Sequence, residues 1–393
     1  MVITKVVLEK ANRLYQLPPG LLSFMRAEER RGLLKRDDLV DLAAFNWPVP
    51  IPEGTLDGDA LTPANRDELA ALREEIAGWM QTRHGCRVLP DKEIFVGGSI
   101  TSLLTMLGLA FLDHGDIAFV PELAVPSYRQ AITSAGAEPA AYPMSAKTDW
   151  LPDFERLGTR VGRVARLAFV NSPHNPTGAE LSEQAMANLI WTASREHILV
   201  VNDAAYQSIA KRRPVSLLAA SGGSKVGVEL YSFAYTFGLP RLPYGFVVGN
   251  REAISTLKQA ARLMPTTIPT GYCNWIIAAI RAFPNEALRN LQQQLARTAD
   301  RASTLLQQLS LEGTTSGTTP YLWARVPERR NAAAFARQLY RRHRILTIPG
   351  TDFGDSGEGY LRLTLSCGEA AYDEAIVRVK KKRLLRKKKK ESS

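Results

Sequence analysis

The chain has 393 residues, 45% of them hydrophobic, and a formal net charge of +11. That supports a large core and roughly two domains, and it excludes a disordered or low-complexity chain. The longest apolar runs, such as "HILVV" and "GFVVG", are far shorter than a membrane span.

The charge is unevenly placed. From Arg378 to Lys390 there are ten Lys or Arg, followed by Glu391, and without that stretch the net charge falls to about +2. The tail is therefore what makes the chain basic. It reads as a solvated extension of the last helix, or as an arm that meets nucleic acid or another anionic surface. No aromatics interleave the charges and no nucleic-acid fold signature accompanies them. At the other end, "MVITKVVLEKANRLYQLPPG" carries Lys5, Glu9, Lys10 and Arg13 and lacks an apolar core and a small-residue cleavage site. That argues against a signal peptide and for a cytoplasmic location. Cys86, Cys273 and Cys367 are odd in number, far apart and without metal-ligand spacing, as expected of reduced thiols and of a chain with no metal centre.

Along the chain, "ANRDELAALREEIAGWMQTRH" has helical periodicity, with Asn65 or Asp67 near its start. "EIFVGG" reads as a strand running into glycines, and "SITSLLTMLGLAFLDHG" as an apolar helix ending at Gly115. A strand "DIAFVP", a helix "PSYRQAITSAGA" and a strand "EPAAYPM" follow. Next come "RVARLAFVNSP" as strand, "SEQAMANLIWTASREH" as helix, "ILVVNDAAY" as strand, and the apolar runs "VELYSFAY" and "YGFVVGN". Several strands are apolar throughout, as expected when both faces of a parallel sheet are covered. Strand–helix alternation predicts an α/β domain. Residues 283–310 read as one long amphipathic helix leading to a smaller α+β unit made of "TPYLWARV", a helix over about 331–343 and "GYLRLTLS". The expected organisation is an N-terminal segment, 1–45, packing with the small domain; a large domain, 46–285; an interdomain helix with the small domain, 286–377; and the basic tail, 378–393.

In open α/β sheets, chemistry sits at the carboxyl ends of the strands. That rule singles out "NSPHNPTG", "NDAAY" and "SFAYTFG". Together with "SFAYTFGLPRLPYGF", "IPGTDFG" and "GYLRLTLS", these segments resemble, in order and over nearly the whole chain, the class I/II aminotransferases of fold type I. The N-terminal "ANRLYQLPPGLL" and "DLVDLA" are similar to the LL-diaminopimelate and aspartate aminotransferase-like branch. The resemblance implies a mostly parallel central sheet flanked by helices, a smaller α+β domain, a homodimer, pyridoxal 5'-phosphate as cofactor, and amino-group transfer between an amino acid and a 2-oxo acid.

Carried over residue by residue, Asp203 keeps the cofactor's ring nitrogen protonated. Tyr206 and Asn175 bond its phenolate oxygen, and Arg362, with Asn175, holds a substrate carboxylate through a bidentate fork. Gly98, Ser99 and Ile100 open a helix toward the phosphate, and Ser232 adds a hydroxyl.

The departures fall in one place. Tyr235 stands where the family has the lysine that bonds the cofactor. Ala234 replaces a serine, Pro243 the phosphate-binding arginine, and Arg241 a glycine; Arg241 is the candidate to reach the phosphate instead. Val125 replaces the aromatic that stacks on the ring. Leu61 stands for a tyrosine sent into the partner's site, and "AAFNWPVP" departs from the glycine-rich substrate loop. Two readings follow from the resemblance and its departures: a member whose transamination is lost or strongly reduced, acting as a binder or regulatory subunit, or an enzyme that holds pyridoxal or pyridoxamine phosphate noncovalently and uses Tyr235 as acid or base. A protein working through its basic tail is a third.

Overall fold

The computed structural model describes residues 25, 39–45, 58–152, 154, 164–210, 213–239, 241–315, 317–327 and 331–391. The N-terminal segment before Leu39 (Met25 apart) and the substrate-loop segment beyond Phe45 lie outside them.

A seven-stranded sheet carries the large unit. Its strands are β2 (Ile94–Gly97), β3 (Ile117–Pro121), β4 (Glu138–Tyr142), β5 (Ala165–Asn171), β6 (Leu199–Asp203), β7 (Gly227–Ser232) and β8 (Gly245–Gly249), in the order β2-β8-β7-β6-β5-β3-β4. β8 runs antiparallel to both neighbours and every other pairing is parallel. The apolar strands are covered on both faces: Val120, Phe169, Val201, Leu230 and Val247 are buried on one, and Val170, Val200, Tyr231 and Phe246 on the other. The order reverses at β3, which has β4 on one side and β5 on the other, while β5, β6 and β7 lie side by side and end at the same edge, where chemistry sits in such sheets.

Local sequence sets the helix ends. Helix α1 (Arg66–His84) is opened by a capping box between Asn65 and Glu68 and closed by Gly85 in the left-handed conformation. After α2 (Pro90–Glu93), α3 (Ile100–Phe111) is capped by Ser99, whose side chain accepts from Ser102 N–H. α4 (Pro126–Ser134) starts on a proline, α5 (Glu183–Glu196) is capped by Ser182, and α6 (Gly223–Val226), α7 (Phe233–Phe237), α8 (Arg251–Ala260), α9 (Thr270–Arg281) and α10 (Glu286–Leu309) follow.

A second sheet, β12 (Ile348–Pro349), β13 (Tyr360–Thr364), β10 (Tyr321–Arg325) and β9 (Glu312–Thr315) in that order, is antiparallel. Beside it, β1 (Val40–Asp41) pairs in parallel with β11 (Ile345–Leu346). The long amphipathic helix predicted over 283–310 is Glu286–Leu309, because Asn285 caps it. Its Leu288, Leu291, Leu295, Leu305 and Leu306 are buried.

The run "VELYSFAY" does not stay extended. β7 stops at Ser232, whose Oγ accepts from Tyr235 N–H and starts a short helix, Phe233–Phe237. Gly238 ends that helix at φ 71°, and a Cβ there would lie 2.8 Å from the backbone nitrogen of Leu288. Both conditions demand glycine. Gly238→Ala is expected to cost about 1–3 kcal/mol, read as a lower urea midpoint with an unchanged slope.

Candidate active site

The site is built where β5, β6 and β7 end, at Asn171, Asp203 and Ser232. Asn171 ties two of its parts together. Its amide donates to the Asp203 backbone carbonyl at 2.8 Å, and its Oδ1 accepts from Asn175 N–H at 2.7 Å. His174 locks the same loop: Nε2 lies 2.9 Å from the Leu123 carbonyl and Nδ1 2.7 Å from the Thr177 hydroxyl. A carbonyl only accepts, so Nε2 carries the proton and the ring is neutral. Burial lowers its pKa to about 4.

Asp203 is buried and its donors are neutral: the Tyr128 hydroxyl at 2.7 Å and Ala205 N–H at 3.1 Å. Burial raises its pKa to about 6, with both hydrogen bonds opposing the rise. Next to it, Asn175 Nδ2 reaches the Tyr206 hydroxyl at 3.3 Å, and Tyr206 lies 3.4 Å from the Tyr321 hydroxyl. Arg362 donates through Nη1 to Asn175 Oδ1 at 3.0 Å and through Nη2 to the Ala43 carbonyl at 2.9 Å. Its guanidinium lies 4.0 Å from the Tyr321 ring centre and 5.2 Å from that of Phe353. Among the described residues its Nε, also buried, has no partner, and Arg362 meets no carboxylate.

Tyr235 stands within this group. Its ring meets Phe45 edge-on at 4.9 Å and Tyr206 at 5.2 Å, and its hydroxyl bonds Tyr321. Part of its surface stays open, yet the surroundings are dense enough that burial pushes its phenol well above the usual range. Nearby Tyr321 and Asp203 push the same way, and Arg362 opposes them. The phenol therefore keeps its proton at any ordinary pH.

Asp203, Asn175, Tyr206, Arg362 and Tyr235 thus form one cluster. The phosphate-side candidates are arranged differently. Gly98 is buried, and Ser99 and Ser232 are each engaged as helix caps. Val125 is half-buried, and Arg241 is exposed on a turn with φ 56°. Of the two lysines near these motifs in sequence that could stand in for the absent one, Lys225 precedes β7, at the opposite end of the strands from Asp203, and Lys211 lies outside the described residues. Two residues that the motifs did not single out, Tyr128 and Tyr321, complete the site together with Asn171, the first residue of "NSPHNPTG". For Tyr128 the available signal was a tyrosine on the apolar face of a predicted helix. For Tyr321 it was the start of the apolar strand run "YLWA".

The donor set fits one edge of a pyridoxal phosphate ring. A buried carboxylate with neutral donors only is complementary to a protonated ring nitrogen, and Tyr206 and Asn175 offer donors beside it. Among the described residues no group of three or more His, Cys, Asp or Glu is placed to hold a metal, and no helix is long and apolar enough to cross a membrane.

The chain is similar to known proteins over nearly its whole length. An LL-diaminopimelate aminotransferase of Dehalococcoides mccartyi is 29% identical over 379 residues, covering 94% of this chain and 97% of its own. One from Halothermothrix orenii is 28% identical over 386 residues, covering 95% and 98%. Among solved structures, substrate-bound BacF from Bacillus subtilis superposes with a TM-score of 0.83 at 26% identity, covering 97% of this chain and 98% of its own. The N-succinyldiaminopimelate aminotransferase of Mycobacterium tuberculosis shares the fold, with a TM-score of 0.83 at 22% identity and coverage of 94% and 99%. The profile described as "Aminotransferase class I and II" matches residues 57–379, a span holding every strand end from which the cluster is built, so the chain belongs to the class I and II aminotransferase family.

Proposed function

We propose that this chain uses the aminotransferase fold to bind an amino acid or 2-oxo acid, and that its transamination is lost or strongly reduced. The observation that carries the reading is Arg362: a buried guanidinium whose acceptors are neutral and whose Nε is unpaired invites a carboxylate. Tyr235 carries the second half. A phenol has no amine with which to bond the cofactor or to exchange it onto a substrate, and the proton-shuttling group is lost with it. That loss alone costs about 10²–10⁴-fold.

Pyridoxal or pyridoxamine phosphate, held noncovalently, would supply an electron sink. Asp203 would face its ring nitrogen and Asn175 and Tyr206 its phenolate oxygen, with the amide groups opening α3 toward the phosphate. The second reading, an enzyme of unconventional mechanism, is favoured by the partly open surface of Tyr235. Its raised pKa keeps the phenol protonated, so at neutral pH it is a hydrogen-bond donor and no base. Oligomeric state and location are read as a cytoplasmic homodimer.

Thermal melting with pyridoxamine phosphate, pyridoxal phosphate, 2-oxoglutarate, glutamate and LL-diaminopimelate tests the binding. A ligand at 100 times its Kd adds about 2.7 kcal/mol. No shift with any of them at millimolar concentration sinks the binding claim. Turnover in the ordinary enzymatic range, about 1–10³ per second, sinks the loss of transamination. Arg362→Gln is expected to weaken carboxylate ligands by about 10–100-fold, the value of one charged hydrogen-bonding group, while cofactor binding without substrate stays within about twofold.

A further inference from the structure

The last helix, α12, spans Glu369–Glu391. Three of its four acids lie early and are paired, Glu369 with Arg297 and Arg301, Asp373 with Arg301, and Glu374 with Arg378; the fourth is Glu391 at its end. From Arg378 to Lys390 the same helix carries ten Lys or Arg and no acid. The fold brings a second basic segment beside its start. Helix α11 (Ala332–His343) and its cap hold Arg337, Arg341, Arg342 and Arg344 with no acid among them, and Arg337, Arg341 and Arg342 are exposed. His343 Nδ1 lies 3.3 Å from the Arg378 carbonyl, which joins the two helices. Lys380 and Lys381 are exposed next to that contact.

We infer that the basic run from Arg378 to Lys390, together with the exposed arginines at the end of α11, binds the phosphate backbone of nucleic acid without sequence preference. The inference is independent of the ligand assigned to Arg362. At about 1.5 Å per residue, the basic run places one positive charge per roughly 1.8 Å of helix, close to the one negative charge per about 1.7 Å of duplex DNA. Like charges on successive turns repel, and a polyanion alongside relieves that repulsion. Beyond Val379 the only apolar residues of α12 are Leu384 and Leu385, too few for a face that enters a bilayer. No aromatic residue follows Tyr372, so stacking on bases is absent from the tail and recognition stays with phosphates.

Anisotropy of a fluorescein-labelled 20-mer, single-stranded or duplex, measured with the full chain tests this. Between 50 and 200 mM salt, affinity is expected to fall by about 10³-fold or more, linearly in the logarithms. Truncation after Lys381 keeps Val379, which is buried, and removes seven of the ten charges; it is expected to weaken binding at least about 100-fold. Should the truncated chain fail to fold, Gln at Lys387, Lys388, Lys389 and Lys390 gives the same reading. Arg337, Arg341 and Arg342 replaced together by Gln, with the tail intact, are expected to lower the salt slope by about 3. Unchanged binding in the folded tail variants overturns the proposal. So does retention on phosphatidylserine vesicles that the oligonucleotide cannot displace, which assigns the face to lipid.

Discussion

Tyr235→Lys is expected to attach pyridoxal phosphate covalently and to raise transamination at least about 10²-fold over the parent chain. The position is suited to it. Residue 235 sits in the first turn of a helix held by the Ser232 cap and by Gly238, so its backbone does not depend on the side chain being replaced. Extended lysine and tyrosine side chains reach a similar distance from Cα. The new ammonium would enter a site where burial and the Arg362 guanidinium both favour the neutral amine, the nucleophilic form. Borohydride reduction followed by mass spectrometry reads the result directly: the peptide holding residue 235 gains the mass of the reduced cofactor. Attachment is expected to need high cofactor concentration, since Pro243 supplies no cation. Adding Pro243→Arg should lower that concentration. If the folded variant shows no added mass at saturating cofactor with either substitution, residue 235 is not the lysine position and the assignment of the segment fails.

The outcome depends on a segment that sequence alone reads well in one respect and poorly in another. Strand ends were legible, because Asn171, Asp203 and Ser232 each follow an apolar run and precede turn or cap chemistry. Asp203, Asn175, Tyr206 and Arg362 were legible as residues, and the structure adds that they touch one another: Arg362 reaches Asn175, which reaches Tyr206. What periodicity cannot carry is pairing across distance. Tyr128 lies 75 residues before Asp203, and nothing in a helix pattern says that its hydroxyl meets that carboxylate. The antiparallel direction of β8 was hidden for a related reason, since "YGFVVGN" is equally apolar in either orientation. The end of β7 was obscured by composition. "VELYSFAY" stays apolar through the turn, and only the Ser232 hydroxyl and Gly238 mark where the strand becomes a helix.

The same buried carboxylate gives the second large effect, in stability against pH. Folding raises the Asp203 pKa from 3.8 to about 6. Between those values the folded state holds a proton that the unfolded chain has released, so the contribution of Asp203 to stability falls as pH rises through the window and is constant above it. At about 1.4 kcal/mol per pH unit, the decline is about 3 kcal/mol. Two histidines act in the opposite sense. His174, held near pH 4, and His84, held near 3, are both lowered by burial, so each adds stability as pH rises toward 6.5. The parent chain alone therefore shows a partly cancelled profile, and the Asp203→Asn variant separates the contributions. An asparagine Oδ1 can accept from Ala205 N–H while its Nδ2 donates to the Tyr128 oxygen, so the network survives without the charge. Urea midpoints from pH 4 to 8 are expected to show the variant gaining on the parent by up to about 3 kcal/mol as pH passes 6. Parallel profiles would mean that Asp203 is not the proton site. With saturating pyridoxamine phosphate, a protonated ring nitrogen beside Asp203 stabilises the carboxylate and pulls its pKa back down. The gap between parent and variant should then close or reverse above pH 6, and a gap that ignores the ligand would place the ring somewhere other than against Asp203.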